Sequence, residues 1–294
     1  SGLSSGKVYI FERQSDDTWS LVDNILASTG SVDDQFGMSI DMNNEWLIAG
    51  SSSYDNSTGT VSGGVFVYQW NGTNFEETQV LLDDQLQTDS NYGVKVALDG
   101  NRLVVGADMY DSGNGVDSGK VFVYELQLDT WVKTADIVGV NTTAGDAFGS
   151  SVDIKGDWLL VGGATADLSG TTSGAVWSYH YINGQWYPKD YYFNNAGTAT
   201  DLFGASVVIG GNDFFMGAPT STTQNDVSYV YVVRDYVGDS ARRLLADIQV
   251  RFVKGFTSVI FNTPTEEVVS GTINTMALAV EALLALTLGV HLLS

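Results

Sequence analysis

Apolar and polar positions recur along this chain in short blocks, without a helical period. Four blocks are nearly continuous apolar runs that stop at glycine: Trp46-Leu47-Ile48-Ala49 before Gly50, Leu103-Val104-Val105 before Gly106, Trp158-Leu159-Leu160-Val161 before Gly162, and Phe214-Phe215-Met216 before Gly217. Runs of this length bounded by turn residues predict short strands in a sheet. A second set opens with valine: Val8-Tyr9-Ile10-Phe11, Val65-Phe66-Val67-Tyr68, Val121-Phe122-Val123-Tyr124, Val176-Trp177-Ser178-Tyr179 and Val230-Tyr231-Val232-Val233. Its β-branched and aromatic content predicts strands again. An aromatic, Trp19, Phe75, Trp131 or Trp186, follows ten or eleven residues after the first four of these valines, beyond turns such as Asn71-Gly72 and Asn183-Gly184.

A further column is an aromatic followed by glycine, at Phe36-Gly37, Tyr92-Gly93, Phe148-Gly149 and Phe203-Gly204, at intervals of 56, 56 and 55 residues. All columns keep this spacing, so the chain is a repeat. Each unit runs aromatic-Gly strand, tight turn, apolar strand ending in Gly, polar loop, valine strand, turn and Trp-bearing strand. The first turn is short in every copy: Asn43-Asn44, Asp99-Gly100-Asn101, Lys155-Gly156-Asp157 and Gly210-Gly211-Asn212 offer the residues that tolerate positive φ. Four antiparallel strands per period make one β-propeller blade, whose apolar faces are buried by stacking on neighbours. The aromatic-Gly residues are read as anchors between blades. Asp34, Asp146 and Asp201, two residues before their aromatics, are read as bonding turn backbone.

These columns resemble FG-GAP repeats, the blades of the integrin α-subunit propeller, in the variant with a short hairpin between paired strands. Both halves of the signature stand in Phe203-Gly204-Ala205-Ser206-Val207 and Met216-Gly217-Ala218-Pro219, while Ala49-Gly50-Ser51, Gly106-Ala107-Asp108 and Gly162-Gly163-Ala164 lack the proline. The resemblance covers about Gly6 to Val233. It implies an all-β propeller, either of about five blades or as a fragment of a seven-bladed ring. Family propellers carry calcium in a loop of alternating Asp residues, but the matching positions here are short hairpins, too small to wrap a seven-coordinate ion. No cofactor is expected there. A separate acidic loop, Asp108, Asp111, Asn114 and Asp117, offers oxygen ligands for calcium, or is a solvated turn.

The repeats divide the chain into blades over 1–233, a linker over 234–247 that includes Asp239-Ser240-Ala241-Arg242-Arg243, and a hairpin over 248–262 that closes the ring or pairs with a partner. A C-terminal segment, 263–294, opens on Thr263-Pro264-Thr265-Glu266, a capping-box start for an apolar helix. Met276 to Leu293 is long enough to span a bilayer, though Glu281 at its centre costs about 2.5–3.5 kcal/mol there. Membrane tail, GPI-attachment signal and packed helix all stay open for it, and a membrane partner with them.

Composition narrows the function classes. A net charge of −22 repels phosphate backbones, which excludes nucleic acid as a partner. Cysteine is absent, so disulfides, thiolate metal sites and Cys nucleophiles are excluded. Asn56, Asn71 and Asn141 head N-glycosylation sequons, which permit secretion. The start at Ser1 reads as a processed chain or a fragment. Two histidines, His180 and His291, leave almost no material for a His-based triad, and no phosphate loop, HExxH or nucleophile elbow is present. The expectation is therefore not an enzyme but an extracellular or cell-surface adhesion module. Propeller loops would bind a protein or glycan ligand, with self-association into a filament or coat as the alternative.

Overall fold

A run such as Trp46-Leu47-Ile48-Ala49 has no polar face to offer to water, so any sheet that contains it must be covered on both sides. Stacked sheets meet that demand. The computed structural model describes residues 5–55, 61–85, 87–168, 172–193, 201–211, 213–219, 229–234, 247–253 and 256–262, and among them there is no helix.

The first sheet holds two strands, β1 (Val8–Arg13) and β2 (Trp19–Ile25). Three four-stranded antiparallel sheets follow in chain order. They are β3 (Ser39–Met42), β4 (Trp46–Ser51), β5 (Gly64–Trp70) and β6 (Phe75–Leu81); then β7 (Lys95–Asp99), β8 (Arg102–Ala107), β9 (Lys120–Gln127) and β10 (Thr130–Ile137); then β11 (Phe148–Lys155), β12 (Trp158–Gly163), β13 (Ala175–Ile182) and β14 (Gln185–Tyr192). The last sheet has five strands: β15 (Ser206–Gly210), β16 (Asp213–Ala218), β17 (Tyr229–Arg234), β18 (Asp247–Val253) and β19 (Phe256–Asn262). Each four-stranded sheet is a propeller blade in the order the repeat predicts, and β1–β2 are the third and fourth strands of another.

No Trp-bearing segment follows Val230 in the last copy. The structure places β18 there, through Tyr229↔Arg251 and Val230↔Val250, and adds β19 outside it. The anticipated C-terminal helix over 263–294 and the polar stretch Asp239–Arg243 lie outside the described residues.

The turns follow their glycines. Asp99↔Arg102, Lys155↔Trp158 and Gly210↔Asp213 each close around two residues, and Gly100, Gly156 and Gly211 take φ of 58°, 56° and 64°.

Cores sit between blades, because neighbouring residues of one strand face opposite ways. Ile48, Val65 and Val67 share a core with Tyr92, Val105 and Phe122 of the next blade. Leu47, Ala49, Phe66 and Tyr68 join Val8 and Ile25 on the other side. Val104, Val121 and Val123 then meet Val152, Leu159 and Val161. Each fully buried Val, Leu, Ile or Phe contributes roughly 1.5–3 kcal/mol, so blade stacking supplies most of the driving force.

A backbone latch fixes each junction. The aromatic side chain packs edge-on against its own third strand, as Phe36 on Phe66 at 5.3 Å, Tyr92 on Phe122 at 5.0 Å and Phe148 on Trp177 at 5.2 Å. Its backbone N–H donates to the preceding blade: Phe36 to Ser5 O, Tyr92 to Ser62 O, Phe148 to Ser118 O and Phe203 to Ser173 O, at 3.0–3.2 Å. The glycine that ends the second strand makes room for this. A Cβ on Gly50, Gly106 or Gly162 would stand 2.0, 2.1 or 2.1 Å from the carbonyl oxygen of Gly93, Gly149 or Gly204.

Candidate functional site on the loop face

Loops that join a second strand to a third, and a fourth strand to the next blade's first, are brought together at the blade junctions. The acidic loop 108–117 meets the loop before it through Gln87, whose Nε2 donates to Asp111 O at 3.3 Å while Asp111 N donates to Gln87 Oε1 at 2.6 Å. Asn91 Nδ2 donates to Asp108 Oδ1 at 3.0 Å. On its other side, Asn114 Nδ2 donates to Gly139 O at 2.9 Å and to Thr142 Oγ1 at 2.6 Å, and Gly145 N donates to Val116 O at 2.9 Å. The loop also ties itself: Asp117 N donates to Asp111 Oδ1 at 2.9 Å, and Ser112 and Ser118 hydroxyls share a hydrogen bond of 2.6 Å. One loop thus spans two blade junctions as a hydrogen-bonded bridge. Met109 and Val116 project from it, 48% and 62% exposed, beside exposed Asp111, Asn114 and Asp117, and Val140 of the following loop is 43% exposed.

The four oxygen-bearing residues anticipated as calcium ligands are spread along this bridge. Asp108 turns to Asn91, Asp111 to its own loop and Asn114 to the following junction. Among the described residues no three His, Asp or Glu side chains gather as a metal ion requires. The short hairpins are likewise occupied by their own backbone, as where Asn43 Oδ1 accepts from Glu45 N at 2.9 Å and Trp46 N at 2.8 Å. The residues do not fit a calcium cage. Burial pushes the Asp108 carboxyl above the usual carboxylate range, against the lowering effect of the Asn91 bond.

A charged layer lies beneath. Asp83 is buried, which raises its carboxyl, and it accepts from Gln85 N and Gln87 N at 3.2 Å each. Lys133 reaches Asp84 at 2.8 Å and Asp136 at 3.3 Å, and its bond to Asp84 holds that carboxyl low. Lys120 pairs with Asp136 at 2.9 Å and lies over the Tyr110 and Phe122 rings at 4.6 and 4.8 Å. Tyr110 OH donates to Gln85 Oε1, and Tyr92 and Tyr124 hydroxyls share a 2.6 Å bond. Both lysines are paired and Asp83 is held by backbone N–H groups, so the layer positions the loop above it.

The anchors Phe36, Gly37, Tyr92, Gly93, Phe148, Gly149, Phe203 and Gly204 occupy the junction latches. Asp34 and Asp146 are 1% exposed and bond turn backbone: Ser31 N donates to Asp34 Oδ2 at 2.5 Å and Thr143 N to Asp146 Oδ2 at 2.7 Å. His180 lies flat on Trp158 at 4.3 Å, while His291 lies outside the described residues. Asn71 and Asn141 are exposed at turns, Asn71 Oδ1 accepting from Thr73 N at 2.9 Å; Asn56 lies outside the described residues. Sequence reading missed the Ser-Gly pairs that receive each latch: Ser5-Gly6, Ser62-Gly63, Ser118-Gly119 and Ser173-Gly174. Their glycines form parallel bridges to Phe36, Tyr92, Phe148 and Phe203 at φ of 83–89°. Their repeat spacing was the available signal.

The FG-GAP repeat family model matches residues 19–68, 75–124 and 131–179, together just over half of the chain. Each match begins on the fourth strand of one blade and ends in the third strand of the next, and so spans one latch. A search of curated proteins finds none that matches. With the latch residues in the same place at every described junction and the family pattern running through three of them, the chain belongs to the FG-GAP repeat family and carries its repeats as the blades of a β-propeller.

Proposed function

We propose that the chain is an extracellular or cell-surface binding and adhesion module that recognises a protein or glycan ligand with its loop face. The observation that carries this reading is the bridge 108–117. Exposed apolar side chains stand among acidic ones on a loop that hydrogen bonds to both neighbouring junctions hold in one shape. A pre-organised loop loses little conformational entropy when a ligand arrives. FG-GAP propellers are often found in adhesion and binding, which fits this reading. The charge of −22 favours a ligand that presents positive groups and disfavours nucleic acid. No catalytic step is part of the proposal.

The test is immobilised purified chain against arrays of matrix proteins, cell-surface ectodomains and glycans, with a Met109→Ser/Val116→Ser variant alongside. Saturable binding that weakens at least tenfold in the variant supports the reading. Absence of any saturable ligand, or binding indifferent to the loop, overturns it. A second reading, a subunit of a surface filament or coat, is favoured by the uncovered edge of β1. Sedimentation at high concentration that shows monomers alone removes it.

A further inference from the structure

Two sequons lie among the described residues, at Asn71 and Asn141, and they are built differently. The first lies wholly in the turn between β5 and β6, where Asn71 N donates to Asn74 O at 3.1 Å. The corresponding turns of the next two blades put both central residues at positive φ, Leu128 and Asp129 at 49° and 62°, Asn183 and Gly184 at 52° and 84°. Between Asn71 and Asn74 only Gly72 does so, at 98°. The next place is thereby open to a β-branched residue, and Thr73 there completes Asn-Gly-Thr.

The asparagine is held by its own turn. Asn71 Oδ1 accepts from Thr73 N at 2.9 Å and Asn74 N at 3.0 Å, and Nδ2 donates to Asn74 Oδ1 at 2.9 Å. An amide nitrogen carries two hydrogens, so one is left over. A sugar in its place removes none of the turn's bonds. All three partners are local, so the turn forms before the blades stack. Asn71, Gly72 and Thr73 are exposed, and a Cβ on Gly72 would meet nothing within 4 Å.

The second sequon depends on distant neighbours. Thr142 is buried and its oxygen accepts from Asn114 Nδ2 at 2.6 Å, while the Thr143 hydroxyl is committed to Asp146 Oδ1 at 3.3 Å. Position separates the two sites further. Successive strands run antiparallel, so third-to-fourth turns stand at the end of the blades away from the loop 108–117. Trp70 and Phe75, the registered pair below the Asn71 turn, lie 5.1 Å apart between ring centroids, and Trp70 is 42% exposed. An exposed indole beside the attachment point offers its face to the apolar C–H side of a pyranose.

We propose that Asn71 is an N-glycan attachment site whose first sugar is seated on Trp70, an inference that rests on the extracellular reading above. Asn71 Nδ2 bonds to the anomeric carbon of a lipid-diphosphate-linked oligosaccharide. The bond from that carbon to the diphosphate breaks, the electron pair leaves on the diphosphate, and Nδ2 gives up one proton. The glycan covers the turn end of the first complete blade and leaves the loop 108–117 free.

The test is to secrete the full chain from glycosylating eukaryotic cells and read its glycopeptides by mass spectrometry. Asn71 is expected to be occupied in most molecules. A secreted chain bare at Asn71 overturns the proposal and leaves the ligand-binding reading of the loop face standing. Thr73→Ala removes the acceptor hydroxyl but keeps the N–H that Asn71 uses, so it serves as the sugar-free reference. The secreted parent should melt about 2–4 °C above it. A gap that persists between the two when both are made in bacteria, which add no such sugar, overturns the glycan as its cause. Trp70→Ser should keep the sugar yet lose the gain over Trp70→Ser/Thr73→Ala, and an undiminished gain overturns the seat on Trp70.

Discussion

Gly106→Ala places a methyl group where the next blade's backbone already stands. Its Cβ would lie 2.1 Å from Gly149 O and 3.1 Å from the carbonyl carbon, whereas a close carbon–oxygen contact needs about 3.3–3.6 Å. β8 and the Phe148-Gly149 segment must therefore part by about 1 Å. Gly106 is not among the residues at positive φ, so alanine's own backbone preference would favour the folded chain by about 0.4–1 kcal/mol. Any loss therefore reports on the junction. Overpacking costs about 1–3 kcal/mol, and weakening the bond from Gly93 N to Gly106 O, 3.0 Å long, adds about 1 kcal/mol. A net loss of about 2 kcal/mol lowers the melting temperature of a chain this size by roughly 4–8 °C. Two glycines act as controls. Gly217 occupies the same column, but its Cβ would meet Ser206 Oγ at 2.5 Å, a side chain able to rotate away, so Gly217→Ala costs under about 1 kcal/mol. Gly100 has open space and φ of 58°, so Gly100→Ala costs only the left-handed conformation, about 1–2 kcal/mol. Thermal melts give the magnitudes, and amide exchange at Gly119 and Phe148 locates the damage, since stacked repeats open at their weakest junction. Gly106→Ala within about 0.5 kcal/mol of the parent, or no worse than Gly217→Ala, refutes the latch.

Three further outcomes are expected. Tyr92→Phe leaves the buried Tyr124 hydroxyl without its partner and costs about 1–3 kcal/mol by urea denaturation, while Tyr92→Phe/Tyr124→Phe recovers most of that loss. A double variant as unstable as the single one contradicts the pairing. Because burial raises the Asp108 carboxyl, its contribution to stability is complete below about pH 3.9, the unfolded value, and is lost as pH rises through the higher folded value. Asp108→Asn should therefore gain melting temperature over the parent at pH 7 and show no gain at pH 3. The exposed Asp129→Asn controls for overall charge, and parallel curves for the two variants would refute the assignment. Ala147 has φ of 54°, so Ala147→Gly relieves left-handed strain and stabilises by up to about 1 kcal/mol; a loss of stability shows that the strain is not there.

What could be read from the sequence follows from which constraint each position answers. Gly50, Gly106 and Gly162 face a carbonyl at 2.0–2.1 Å, and only one residue type fits, so the column is visible as a letter. The aromatics fill one shape against the third strand and recur for the same reason. The residue before each aromatic is held as tightly by its backbone: Gln35, Asn91, Ala147 and Leu202 have φ of 60°, 56°, 54° and 53°. Yet their side chains have nothing in common, so no column could be seen. Ser-Gly pairs repeat as regularly as the aromatics, but beside neighbours such as Gly64 they look like ordinary loop composition. The loop face was further out of reach. Spacing alone made Asp108, Asp111, Asn114 and Asp117 resemble a ligand set, because the groups that engage them, Gln87, Asn91 and Thr142, come from loops outside that segment and join it only when blades stack. Contacts made by every blade with its neighbour leave a periodic trace in sequence, while contacts made once, between one pair of loops, leave none. Binding specificity belongs to the second kind, which is why the blades could be read from one chain and the ligand could not.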